Sequence, residues 1–132
     1  MIVVDVNILA YRWLDARYDT RIDALIRHDP IWAAPLLWQS EFRNILAAYL
    51  RRGKLDVAHA LEVMTKAEKS LHGGQHAVES SRVLQLVSAS RCTAYDCEYV
   101  ALAETRETTL ITEDKALLAA FPTRCRNLAT FD

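Results

Sequence analysis

Short apolar, mostly β-branched runs alternate along the chain with longer stretches in which apolar residues recur every three or four positions, the pattern of strands interleaved with amphipathic helices. Met1–Val4 reads as a buried strand, followed by a short helix over Val6–Trp13 capped by Asp5 or Asn7. Asp19–His28 is a second helix and Ile31–Ala34 a short strand. Pro35 fits the first turn of a long helix that runs to about Arg52, where Gly53 stops it. Leu55–Ser70, opened by Asp56, is a further helix, and the two together form an arm that offers a contact surface. After the Gly73-Gly74 break, Gln75–Val78 reads as a strand and Glu79–Ser90 as a helix with Val83, Leu84 and Val87 on its apolar face. Thr93 begins a helix to about Arg106, Thr109–Thr112 is a strand, Asp114–Phe121 a helix ended near Pro122, and Cys125–Leu128 a last strand. Parallel neighbours need crossover connections, so the alternation predicts an α/β fold: a mostly parallel central sheet flanked by helices, with a helical-pair arm.

Four acidic residues interrupt this pattern where apolar or neutral residues are the norm. Asp5 ends the first strand and Asp114 follows Leu110-Ile111-Thr112, so both fall at the carboxyl ends of strands, where open parallel sheets bind ligands. Glu41 shares helical spacing with Leu37, Ile45 and Ala48, and Asp96 with Tyr99, Val100 and Ala103, which puts both acids beside buried faces. An ionised carboxylate buried without a partner costs several kcal/mol or forces protonation, so either a cation or a basic side chain is expected nearby. Carboxylate oxygens suit Mg²⁺ and Mn²⁺, whose sites commonly include phosphate oxygens of a substrate. Each acid alone has a plainer reading: Asp5 and Asp114 as helix caps, Thr93-x-x-Asp96 as a capping box, Glu41 as a salt-bridge partner or an exposed helix-edge residue. Their joint placement favours a shared metal.

The 132 residues and 52% apolar content suffice for one domain with a real core. A formal charge of −1 confines any nucleic-acid affinity to local patches, drawn from Arg12, Arg17, Arg43, Arg51, Arg52, Lys54, Lys115, Arg124 and Arg126. Cys92, Cys97 and Cys125 are odd in number and lack CxxC spacing, which fits packed thiols in a reducing compartment. The start of the chain lacks the pattern of a signal peptide, and no stretch approaches the roughly 20 apolar residues of a membrane span, so a cytoplasmic location is expected. His72 and His76 flank Gly73-Gly74, which argues against a helical metal pair, and no nucleophilic hydrolase signature is present. Trp13, Trp32 and Trp38 suit either an interface or the core.

Val3-Val4-Asp5-Val6-Asn7-Ile8-Leu9, Ser40-Glu41-Phe42-Arg43-Asn44-Ile45-Leu46, Tyr95-Asp96-Cys97-Glu98-Tyr99-Val100-Ala101-Leu102-Ala103 and Leu110-Ile111-Thr112-Glu113-Asp114 together resemble the motifs of PIN-domain nucleases. Their order, spacing and total length look most like VapC-type toxins, and the resemblance covers nearly the whole chain as a single PIN domain, residues 1–132. It implies that Asp5, Glu41, Asp96 and Asp114 hold one or two Mg²⁺ or Mn²⁺ ions, with Asn7 and Thr112 supporting them. Asp5 and Asp96 are the expected direct ligands; Glu41 and Asp114 ligate directly or through water. It further implies an endoribonuclease that hydrolyses phosphodiester bonds, a small antitoxin that silences it, and a homodimer. Arg43, Arg51, Arg52 and Lys115 are the candidate RNA contacts. Two other classes remain: a PIN-like module that binds RNA or protein without cutting, and a phosphatase with Asp5 as nucleophile. The second needs an acid two residues on, where Asn7 stands.

Overall fold

Met1 to Phe131 are described by a computed structural model. The strands are β1 (Ile2–Val4), β2 (Trp32–Pro35), β3 (Gln75–His76), β4 (Leu110–Ile111) and β5 (Cys125–Arg126). The helices are α1 (Val6–Leu14), α2 (Asp19–His28), α3 (Trp38–Arg51), α4 (Val57–Ser70), α5 (Ser80–Ser88), α6 (Ala94–Thr105) and α7 (Lys115–Ala120). The five strands form one sheet in the order β3-β2-β1-β4-β5, with every pairing parallel. This is the α/β architecture that the alternation predicts, and it matches the PIN-like fold that the resemblance implies.

β1 lies at the centre because Ile2, Val3 and Val4 are covered on both faces, as a strand flanked by helices on each side requires. Its register against β4, Val3 opposite Leu110 and Val4 opposite Ile111, brings the two strand ends level. The chain leaves β1 toward β2 and leaves β4 toward β5. The order therefore reverses between β1 and β4, and this switch point opens a crevice at their carboxyl ends. α6 packs across β1, β2 and β4 and is buried from Tyr99 through Ala103. That continuous burial is what its mostly apolar sequence calls for.

Several expected boundaries and faces shift. Pro35 closes β2 rather than entering the helix, and α3 starts at Trp38; a proline has no N–H to give, so it suits a strand end as well as a first helical turn. Ile31 lies outside the strand and is exposed. β3 stops at His76, β4 is confined to Leu110–Ile111, and the stretch after Arg126 turns into a short 3₁₀ segment at Leu128–Thr130. In α5 the buried pair is Val83 and Leu86; Leu84 is 63% exposed and Val87 only half-buried. Trp32 and Trp38 belong to the core, which removes them as interface residues, while Trp13 is half-buried. Gly74 is fixed by a close approach: any side chain there would collide with the Trp32 carbonyl oxygen where the chain enters β3. Cys92, Cys97 and Cys125 are all buried free thiols. Among the described residues, no helix is long and apolar enough to cross a membrane.

Candidate active site

Asp5 follows β1 directly, at the mouth of the crevice, and is 6% exposed. It occupies the N-cap position of α1, yet its side chain makes no capping hydrogen bond, so the expected cap role is not what holds it. Instead the Thr112 hydroxyl, fully buried beyond the end of β4, donates to Asp5 Oδ2 at 2.7 Å. Thr112 Oγ1 in turn accepts the Asp114 backbone N–H at 3.0 Å, tying the turn after β4 to the carboxylate after β1. Asp114 does cap its helix, since Oδ1 accepts the Leu117 N–H at 3.0 Å, and its other oxygen makes no part of that cap.

Asp96 sits in the first turn of α6, where Thr93 Oγ1 accepts its N–H at 3.1 Å. The capping-box spacing is thus used by Thr93, and the Asp96 carboxylate stays half-buried beside the crevice. Glu41 flanks the buried stripe of α3, which runs through Trp38, Phe42 and Leu46 rather than through Leu37 and Ile45. Tyr99, 1% exposed, donates its hydroxyl proton to Glu41 Oε1 at 2.7 Å. The i, i+3 relation of Asp96 and Tyr99 on α6 lets one helix supply both an acid and the donor that orients a second acid. Changing Tyr99→Phe should cost about 1–2 kcal/mol of stability by leaving Glu41 Oε1 without its donor. Thermal melting of the variant checks this; an unchanged melting temperature contradicts the role.

The electrostatics of the group are those of mutually repelling anions. Burial raises the Asp5 pKa, the Thr112 hydrogen bond opposes that rise, and Asp96 adds to it. Burial raises Glu41, against the Tyr99 hydrogen bond, with Asp5, Asp96 and Glu98 pushing the same way. Burial and then Asp114 raise Asp96, with Thr93 opposing. Among the described residues none of the four acids forms a salt bridge. The donor set is therefore all oxygen, anionic and without a protein counter-charge, which fits a hard divalent cation. As the side chains stand, no three His, Cys, Asp or Glu groups among the described residues converge at ligating distance. The four acids act on one another electrostatically without forming a closed ligand set.

Of the other expected residues, Asn7 is exposed in the first turn of α1, two positions from Asp5. Arg43 is exposed near Glu41 in sequence, and Lys115 is exposed directly after Asp114. Arg51 and Arg52 lie at the far end of α3, roughly 15 Å along the helix from Glu41. Tyr99 and Glu98 were not among the expected site residues. Their signal was an acid and a hydroxyl-bearing ring inside the apolar run of α6, next to Asp96.

No protein-family model matches the chain, and no curated protein matches it. Solved structures do. The chain superposes on PAE2754 from Pyrobaculum aerophilum with a TM-score of 0.77 at 27% identity, over 98% of this chain and 91% of that one. It superposes on FitAcB from Neisseria gonorrhoeae with a TM-score of 0.77 at 16% identity, over 98% and 99% of the two chains. A toxin-antitoxin complex from Klebsiella pneumoniae gives 0.70 at 15% identity, over 97% and 98%.

Proposed function

We propose that the chain is a Mg²⁺- or Mn²⁺-dependent endoribonuclease and the toxin of a toxin-antitoxin pair. One observation carries the enzymatic reading. A buried carboxylate, Asp5, stands at the sheet's switch point with its pKa raised, acidic neighbours adding to the repulsion, and no basic partner among the described residues. A divalent ion resolves that unfavourable arrangement. Asp5 and Asp96 would hold one or two such ions directly, and Glu41 and Asp114 directly or through water. When bound, the ion neutralises phosphate charge and lowers the pKa of the attacking water.

The chain's own residues do the positioning. Thr112 would hold Asp5 through Oδ2, which leaves Oδ1 outside that bond, and Tyr99 would hold Glu41 through Oε1. The α7 cap fixes Asp114 through Oδ1. Arg43 and Lys115 would hold RNA phosphates beside the acids, and Arg51 and Arg52 phosphates farther along α3. Replacing both Arg51 and Arg52 by Ala should weaken RNA binding and reduce the slope of log K against log salt by about 1.4, at roughly 0.7 per phosphate contact on a single strand. Binding measured across a salt series checks it, and an unchanged slope returns both arginines to the solvated surface.

The toxin role is supported by the shared fold with FitAcB and with the Klebsiella toxin-antitoxin complex. It brings with it a small antitoxin as partner, a homodimer as the assembly and the cytoplasm, where RNA is reached, as the place of action. Induced expression that halts growth, with relief by Asp96→Asn, tests this part. The competing reading is a PIN-like module that binds RNA or protein without cutting. It is favoured by the lack of a preformed three-acid ligand set among the described residues. Binding of RNA without cleavage in Mg²⁺ or Mn²⁺ would establish it.

A further inference from the structure

On the same edge of the sheet as Asp5, but lined by none of the four acids, lies a cleft of about 410 Å³. Its lining is mostly apolar, with Leu36, Val83, Leu84 and Ala94, and its polar members are Ser80, His76 and Glu98, of which Glu98 is the one carboxylate. Leu36 follows the carboxyl end of β2 and Ala94 opens α6, so the cleft shares the edge of the sheet that carries Asp5. Glu98 reaches both sides: it lines the cleft and acts electrostatically on Glu41. Leu36 and Leu84 are 55% and 63% exposed, a cost in water that a flat apolar ligand would remove.

We propose that this cleft is a nucleobase pocket that selects guanine next to the scissile phosphate, with Glu98 as its reader. The inference rests on the nuclease reading for the path of the strand. Volume and lining match a small-molecule site, apolar with few polar groups. Single-stranded RNA is read through unstacked bases whose edges are hydrogen-bonded and whose faces are covered by side chains. A carboxylate only accepts, through two oxygens side by side. Among the four RNA bases, guanine alone offers two adjacent donors on its base-pairing edge, N1–H and the 2-amino group. Adenine and cytosine set a ring-nitrogen acceptor beside their amino group, and uracil flanks its single N–H with two carbonyls, so each brings a lone pair against Glu98. Guanine's apolar faces would lie against Leu36 and Leu84. Glu98 is thus a specificity-determining residue rather than a catalytic one.

The test uses the full chain without metal, in EDTA, with ¹³C-methyl NMR of Leu36, Leu84 and Ala94 during titration with 5′-GMP, AMP, CMP and UMP. GMP should shift these methyl signals saturably, with the other three nucleotides at least about tenfold weaker, the scale of one charge-assisted hydrogen bond. Glu98→Gln keeps the shape but places an amide donor against guanine's donors, so GMP affinity should fall about tenfold and the preference should vanish. Absence of GMP shifts in the cleft, equal binding of all four nucleotides, or undiminished preference in Glu98→Gln overturns the pocket. Because nothing is cut in this experiment, the two readings fail separately. GMP binding by a protein that never cleaves RNA removes the nuclease alone, whereas RNA cleavage without a guanine preference removes the pocket alone.

Discussion

Asp5→Asn should make the metal-free protein more stable at neutral pH, by about 1 kcal/mol or more, while removing its stabilisation by divalent ions. Asn keeps the shape of the side chain and an oxygen for the Thr112 hydroxyl, and it removes a charge that is buried without a protein counter-charge. Asp5, Glu41 and Asp96 all have pKa values raised chiefly by burial, so the folded state holds their protons more tightly than the unfolded chain does. Their contribution is fully present below the ordinary carboxylate values, 3.8 for Asp and 4.5 for Glu, and is lost as pH climbs through the raised values. Asp15, Asp29 and Asp56 have lowered values and act oppositely, so the informative quantity is the difference between wild type and variant. In EDTA that difference should widen in the variant's favour as pH rises from the carboxylate range to neutrality. With Mg²⁺ at a hundredfold excess over its Kd, the wild type should gain about 2.7 kcal/mol, a rise of about 10 °C, and the variant little or none. Melting curves over pH with and without Mg²⁺ check both halves; a variant less stable than wild type in EDTA at pH 7 contradicts the unpaired-charge account.

Asp96→Asn should fold as the wild type does and lose at least about a hundredfold in metal-dependent RNA cleavage, the upper end of what supporting residues of metal sites cost when changed. The backbone N–H of residue 96, bonded to Thr93, is untouched by the change, so α6 keeps its cap. What goes is one anionic donor and its repulsion with Asp5 and Glu41. Circular dichroism and melting establish the fold, and cleavage of end-labelled RNA gives the rate. Full cleavage by a folded Asp96→Asn removes this residue from the site.

The sheet and its acids were legible because both leave short-range marks. β-branched runs ended by Asp5 and Thr112-Glu113-Asp114 place strand ends, and crossover geometry makes the sheet parallel. Strand order leaves no such mark. Nothing in periodicity puts β1 between β2 and β4, yet that order creates the crevice. α3 shows a related limit, since Leu37, Trp38, Glu41, Phe42, Ile45 and Leu46 make two adjacent apolar stripes, and only docking against the sheet selects Trp38, Phe42 and Leu46. In α5 the same ambiguity put Leu84 inward where Leu86 goes. α6 is apolar nearly all round, so its pattern could not say that Tyr99 faces Glu41 or that Glu98 faces a cleft. Pairings across the sequence, such as Thr112 with Asp5, are products of the fold and have no local signature.

The most direct test of the central claim is cleavage of end-labelled total tRNA and ribosomal RNA by the purified chain in Mg²⁺, in Mn²⁺ and in EDTA. Discrete cuts that require the divalent ion and disappear in EDTA are the predicted result. RNA left whole in both metals by a folded protein that binds it, or cut equally well in EDTA, would contradict the assignment of Asp5, Glu41, Asp96 and Asp114 as a metal-dependent nuclease site.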